Sequence, residues 1–229
     1  MPDYGKAFAL WRGYAKQQDA DLWSRYTAHD FVEGLCAATL PRASFLHYLA
    51  QDYVFLVHFS RAWALAVVKS ETLAEMQLAS ATVNALVNLE MQHHVKTCAK
   101  YGIDEQTLFN TTEAAENLAY TRYVLDAGYS GDLTDLLAAL APCIFGYGEI
   151  GVRLAQETVV DNPYGEWIDT YAGNEYQQVC RDVGALLDQA LECRIGADFQ
   201  KSPRWARLTD RFITATRLEV GFWDMGLRP

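Results

Sequence analysis

Cys143 and Tyr147 stand four residues apart in an apolar, helical pattern, so their side chains face the same way. Pro142, between Ala141 and Cys143, removes one helical hydrogen bond and bends the segment, which opens a local pocket. A cysteine in such a pocket can act as a nucleophile if its thiolate is stabilised. A small buried core residue is the more common role of a single cysteine, and no neighbour in the sequence supplies a positive charge.

Two carboxyl groups lie among aromatic residues. Asp52, Phe55 and Phe59 share one apolar helix face, where a charge is costly unless it binds something. Glu219 stands three residues before Phe222, and an apolar setting would raise the pKa of its carboxyl group and make it a proton donor. The alternatives are an aspartate that reaches water at the edge of a bundle and a solvated glutamate on a terminal helix.

Glu90 and His94 stand four residues apart on one helix face. This spacing could ligate a metal, but it is also an ordinary intrahelical pair. Because no second carboxylate–histidine set accompanies the pair, the sequence predicts no metal site and no cofactor.

Helices must position all of these side chains. The sequence holds only 15 Gly and 6 Pro, which fall mostly between periodic segments, and no long alternation indicates a strand. We expect one all-α domain over residues 1–229, because no linker or repeat divides the chain. The predicted helices cover 4–16, 22–40, 44–69, 72–101, 112–127, 133–159, 166–171, 174–194 and 203–225.

The composition limits the classes of ligand and the cellular location that we expect for the protein. The formal net charge of −10 opposes binding to nucleic acid and suits a neutral or cationic small molecule. Five cysteines without a CxxC pattern indicate reduced thiols, and together with the absence of a signal-peptide pattern they predict a cytoplasmic protein. The longest uncharged stretch, 136–148, is too short to predict a membrane span.

Four segments, 49–53, 141–147, 167–173 and 219–225, together with Glu90 and His94, resemble in type and order the thiaminase II (TenA-type) family. The resemblance runs from about residue 41 to residue 225. It implies a haem-oxygenase-like bundle of many helices in a single domain, usually assembled as a homotetramer and working without a cofactor.

The resemblance also implies an activity. The cysteine-containing branch of the family hydrolyses 4-amino-5-aminomethyl-2-methylpyrimidine (hereafter the aminomethylpyrimidine) to the hydroxymethylpyrimidine, and also cleaves thiamin, in thiamin salvage. Cys143 matches the nucleophile that adds to the pyrimidine ring. Glu219 matches the acid/base that protonates the departing amine. Asp52 matches the carboxylate that binds the ring nitrogen and the exocyclic amine.

Four aromatic residues match the binding pocket of the family, and a fifth, Phe55, falls at a pocket position. Tyr120, Tyr147 and Tyr171 match tyrosines that line the pocket, and Phe222 matches an aromatic ring that stacks on the pyrimidine. Phe55 departs from the pattern, because many members have a tyrosine at this position. The loss of its hydroxyl bears on rate and substrate preference more than on the class of reaction.

Two alternatives stay open. One is a di-iron enzyme of the same fold, for which the candidate ligands are Asp52, Glu90, His94 and Glu149. The other is a pyrimidine-binding or regulatory protein without turnover. The presence of both a candidate nucleophile and a candidate acid favours a hydrolase acting on C–N bonds.

Overall fold

The computed structural model describes residues 2–18 and 20–229, so Met1 and Asp19 of the expected domain lie outside it. Within these ranges the chain forms twelve α-helices and no strand, which confirms the predicted all-helical fold. The helices are α1 Lys6–Lys16, α2 Leu22–Thr27, α3 Asp30–Cys36, α4 Arg42–Lys69, α5 Leu73–Ala85, α6 Met91–Lys100, α7 Glu105–Phe109, α8 Ala115–Ser130, α9 Leu133–Glu157, α10 Gly165–Ala172, α11 Asn174–Ile195 and α12 Pro203–Gly226.

Helix α9 is the centre of the bundle and packs against α2, α4, α8, α10, α11 and α12. Its first turn is fixed by a capping box, in which Asp132 accepts from the Asp135 amide and Asp135 accepts from the Asp132 amide, both at 3.3 Å. By length and composition α9 could cross a membrane, yet 83% of its most apolar stretch is buried inside the protein. It is therefore the core helix of the bundle.

Helix α10 lies directly on α9 because Gly151 lets the two backbones approach. A Cβ atom at Gly151 would come within 2.4 Å of the carbonyl carbon of Tyr171. A side chain at this position would displace the end of α10 and move Tyr171 with it.

Helices α2 and α3 show that the single helix predicted over 22–40 is wrong. The chain breaks near Ala28, where the Nδ1 atom of His29 accepts a hydrogen bond from the Phe31 amide at 3.2 Å and starts a new helix. Histidine is an uncommon cap, so the sequence carries no familiar stop signal at this place.

The helix predicted over 72–101 is also interrupted. A π-helical turn, Leu86–Glu90, joins α5 to α6. Helix α7 was not predicted at all, although the Asp104 side chain caps it by accepting from the Thr107 amide at 2.7 Å. The remaining predicted helices agree with the structure within a few residues.

Candidate active site

A cavity of about 290 Å³, called the large cavity below, lies between α4, α5, the π turn, α9, α10 and α11. Of the eight site residues that the sequence singles out, the following five line it: Asp52, Phe55, Cys143, Tyr147 and Tyr171. Glu219, Tyr120 and Phe222 are buried and lie outside the lining. The structure thus brings residues from five helices, α4, α8, α9, α10 and α12, to one region.

Cys143 faces the large cavity from α9 and is half-buried. Burial raises the pKa of its thiol well above the ordinary value, and the carboxyl groups of Glu219 and Asp52 raise it further. Among the described residues that line the cavity there is no Lys, Arg or His. The thiol is therefore protonated at neutral pH, and a nearby carboxyl group must relay its proton during attack.

Glu219 on α12 is 1% exposed, and its Oε1 atom accepts a hydrogen bond of 2.8 Å from the Tyr120 hydroxyl on α8. Burial raises the pKa of Glu219 to about 8, a rise that the hydrogen bonds from Tyr120 and Tyr26 partly oppose and the charge of Asp52 increases. Glu219 consequently carries a proton near neutral pH and can donate it. Sequence reasoning missed Tyr26, which α2 brings under the site and which also donates to the Pro142 carbonyl at 3.2 Å.

Asp52 on α4 is 6% exposed, and burial raises the pKa of its carboxyl group to about 7. Its partner is His94, whose Nδ1 atom lies 3.5 Å from Asp52 Oδ2. His94 Nε2 donates to the Leu49 carbonyl at 2.8 Å, so the neutral ring offers Nδ1 as an acceptor. Burial lowers the pKa of His94, which favours a neutral pair in which the proton resides on Asp52.

Aromatic rings form two sides of this region. Phe55 packs against Phe222 and Tyr120, with ring centroids 5.5 and 5.3 Å apart. Tyr147 and Tyr171 meet edge to face at 4.8 Å. Such walls suit a flat ring ligand.

Three further residues of the region were not singled out from the sequence as site residues. The Trp167 indole donates to the Tyr48 hydroxyl at 3.2 Å, and this hydroxyl lies 3.5 Å from that of Tyr147. Tyr176 lines the large cavity and donates to the Ile144 carbonyl at 3.2 Å. Each contact joins different helices, so spacing along the chain could not reveal it.

A second cavity of about 60 Å³, the small cavity, adjoins the first. Asp52, Glu90 and Tyr171 belong to the walls of both cavities. Glu90 and His94, which the sequence placed on one helix face, differ in their surroundings: His94 contacts Asp52 and lines only the small cavity of the two, whereas Glu90 lines both.

The four candidate iron ligands do not come together. Glu149 instead forms an ion pair with Arg12 and accepts a hydrogen bond of 2.8 Å from the Trp23 indole. In residues 2–18 and 20–229 no group of three or more His, Cys, Asp or Glu side chains is placed to hold a metal ion. The structure therefore contradicts this ligand set.

Comparison with known proteins identifies relatives over nearly the whole chain. The model of the TENA/THI-4/PQQC family matches residues 16–229. An aminopyrimidine aminohydrolase from Halalkalibacterium halodurans is 36% identical over 214 residues, which cover 93% of this chain and 92% of the relative.

Solved structures of other proteins share the fold of this chain. A crystal structure described as a TenA family transcription regulator, from a Silicibacter species, superposes with a TM-score of 0.95 at 65% identity and covers 99% of this chain and 98% of its own. A domain of unknown function with a heme oxygenase-like fold, from Shewanella denitrificans, gives a TM-score of 0.70 at 12% identity, with coverage of 93% and 90%. The latter likeness concerns the fold alone and confirms the haem-oxygenase-like bundle predicted from the sequence.

Proposed function

Because the chain belongs to the TENA/THI-4/PQQC family, we propose that it is an aminopyrimidine aminohydrolase of thiamin salvage that converts the aminomethylpyrimidine to the hydroxymethylpyrimidine. The observation that carries the proposal is the meeting of Cys143 and Asp52 in one cavity, with the protonated Glu219 buried close enough to affect the thiol. The aminohydrolase activity named for the Halalkalibacterium relative supports the same reaction class.

The reaction begins at the ring. The Cys143 sulfur bonds to the ring carbon next to the one that bears the methylene, and the thiol proton passes through Asp52 to a ring nitrogen. The C–N bond then breaks, its electron pair goes to the amine, and Glu219 gives that amine a proton.

Hydrolysis restores the enzyme. Water adds its hydroxyl to the methylene carbon and its proton to Glu219, the sulfur leaves the ring, and the ring proton returns to the thiol. Tyr120, Tyr147, Tyr171, Phe55 and Phe222 hold the ring and the two carboxyl groups during these steps. Atoms balance as pyrimidine amine plus water to pyrimidine alcohol plus ammonia.

Ammonia release tests the proposal. The wild-type protein, kept reduced, should release ammonia from the aminomethylpyrimidine, and Cys143→Ala should lower the rate by about 10³-fold or more. Cys193→Ala is the matched control, because Cys193 is exposed on α11 and lines neither cavity. A wild-type protein without product, or an alanine variant at position 143 with full activity, would refute the assignment.

A regulatory role is the second candidate, since the Silicibacter structure is described as a transcription regulator. The net charge of −10 opposes direct contact with DNA. Tight binding of the aminomethylpyrimidine with no turnover would favour this role over hydrolysis.

We further propose that the enzyme works in the cytoplasm as a homotetramer, without cofactor, membrane or nucleic-acid partner, and that thiamin is a second substrate. Light scattering checks the assembly, which should have four times the chain mass of 25.7 kDa.

A further inference from the structure

Glu90 has no role in the reaction described above, yet it faces the site. It is half-buried and belongs to the walls of the large and the small cavity. Among residues 2–18 and 20–229, no side chain or amide forms a hydrogen bond or ion pair with its carboxyl group. A partly buried carboxyl group without a partner is unfavourable for stability, so its presence calls for a ligand.

The backbone at Glu90 is unusual as well. The π-helical turn Leu86–Glu90 interrupts what would otherwise be one long helix from α5 to α6, and Glu90 is its last residue. Turns of this kind are rare and occur frequently at functional sites, because the extra residue changes which side chains face a pocket. The π-helical turn and the lack of a hydrogen-bonding partner are separate observations, and both concern Glu90.

The charge of the large cavity is one-sided. Asp52 and Glu90 line it together, with Asp182 at its exposed rim, while no Lys, Arg or His occurs in the described lining. Burial raises the pKa of Glu90 to about 7, and the charge of Asp52 raises it further, so the two carboxyl groups repel each other when ionised. A cation bound between them would relieve this repulsion.

We propose that Glu90 is the counter-charge for a cationic leaving group, so that the site selects pyrimidines whose methylene carries a protonated or quaternary nitrogen. This assignment rests on the proposed hydrolase function and specifies its substrate class. An ammonium substrate loses one proton to solvent before the C–N bond breaks, so the amine takes the electron pair and departs with the proton of Glu219. A quaternary nitrogen takes the electron pair and departs neutral without this proton, and the proton of the attacking water then goes to solvent.

Binding to Cys143→Ala protein tests the assignment without turnover. Two ligands of equal size are compared by titration calorimetry at pH 7.5: the aminomethylpyrimidine, which is an ammonium ion, and the hydroxymethylpyrimidine, which is neutral. The ammonium ligand should bind at least ten-fold more tightly. Adding Glu90→Gln should reduce this preference about ten-fold and change the Kd of the neutral ligand less than two-fold.

Asp182→Asn is the matched control. It removes the same charge from the exposed rim, where Asp182 accepts a hydrogen bond of 2.8 Å from Gln178. The preference for the ammonium ligand should change less than two-fold. In protein with intact Cys143, Glu90→Gln should raise KM for the aminomethylpyrimidine and leave kcat nearly unchanged.

The outcomes separate the two claims. If Glu90→Gln weakens both ligands equally, Glu90 only braces the cavity and the assignment is wrong. If Asp182→Asn lowers the preference for the ammonium ligand as much as Glu90→Gln does, the summed negative charge around the cavity selects the cation, and Glu90 has no specific role. If the parent protein binds neither pyrimidine, the proposed function itself fails, and the role of Glu90 falls with it.

Discussion

Two pairs of buried carboxyl groups in this protein have similar exposure and opposite surroundings. Glu75 on α5 and Asp135 on α9 are 3% and 1% exposed, and both are held by arginines. Arg194 binds Glu75 through two hydrogen bonds of 2.6 and 3.0 Å, and Arg204 and Arg211 bind Asp135 at 2.9 and 2.8 Å.

Asp52 and Glu219 are 6% and 1% exposed; Asp52 lies 3.5 Å from His94, and Glu219 accepts hydrogen bonds from Tyr120 and Tyr26. Arg194 lowers the pKa of Glu75, whereas burial raises the pKa of Glu219 to about 8. Glu75 and Asp135 join helices through ion pairs with arginines. Asp52 and Glu219 can instead carry protons beside a cavity. Burial alone thus does not mark a functional carboxyl group; burial without a cation does.

The largest expected effect is on activity at Glu219. Glu219→Gln should lower hydrolysis of the aminomethylpyrimidine by about 10² to 10⁴-fold, because the amide cannot supply the proton. The amide oxygen still accepts from Tyr120, so the melting temperature should not fall. A loss of activity explained by unfolding in circular dichroism would contradict this reading.

Arg194 should show the reverse pattern. Arg194→Met leaves Glu75 buried beside no cation and should reduce the free energy of unfolding by roughly 3 kcal/mol. Activity per folded molecule should stay the same, because Arg194 lines neither cavity. Urea unfolding and assays below the transition measure both quantities. If Arg194→Met lost activity but kept the free energy of unfolding of the wild type, the two pairs of carboxyl groups would not differ in function as described.

The two pairs of carboxyl groups should change the free energy of unfolding in opposite directions as pH rises. Glu219 and Asp52 have raised pKa values, so the folded protein binds more protons than the unfolded chain between about pH 4 and 8. Their contribution to the free energy of unfolding falls as pH rises through this window, by up to about 1.4 kcal/mol per pH unit for each group. Glu75, with its lowered pKa, contributes stability that is lost as pH falls below its unfolded value.

The Glu219→Gln variant checks this assignment. Thermal unfolding between pH 5 and 9 should show a flatter decline than the wild type, with a higher melting temperature at pH 9. Identical curves for both proteins would mean that Glu219 is ionised in the folded state.

The smallest expected effect concerns Tyr120. Tyr120→Phe removes the donor to Glu219, which should raise the pKa of that carboxyl group, shift the alkaline limb of the kcat profile to higher pH and lower kcat about ten-fold. Tyr123→Phe on the same helix is the control, since its hydroxyl donates to the Arg211 carbonyl at 3.5 Å and lines neither cavity. An unshifted limb would remove Glu219 as the titrating acid.

Much of the fold could be predicted from the helical spacing of apolar residues and from the Pro and Gly residues at helix ends. Pro203 after Ser202 marks the start of α12, and Gly102 marks the end of the segment that contains α6. The His29 cap and the π turn at Leu86–Glu90 could not be predicted, because neither uses Gly or Pro and both depend on neighbouring helices. Local preferences determine helices, whereas packing determines where a helix is interrupted.

The candidate site could be predicted in part. Cys143 and Tyr147 face one cavity because they are one helical turn apart, and the resemblance to the family brought Asp52 and Tyr171 to them. The pairing of Asp52 with His94 could not be predicted, since it depends on how α6 packs against α4. Nor does the sequence show that the thiol lacks a cation, because that is a property of all the elements around it. The catalytic roles stay predictions.

A crystal structure of Cys143→Ala with the aminomethylpyrimidine tests the central claim most directly. The ring should lie in the large cavity against Phe55, with its ring nitrogen and 4-amino group within hydrogen-bonding distance of Asp52 and its methylene directed toward residue 143. A ligand bound in the small cavity or on the surface, with Asp52 and Glu219 untouched, would contradict the account.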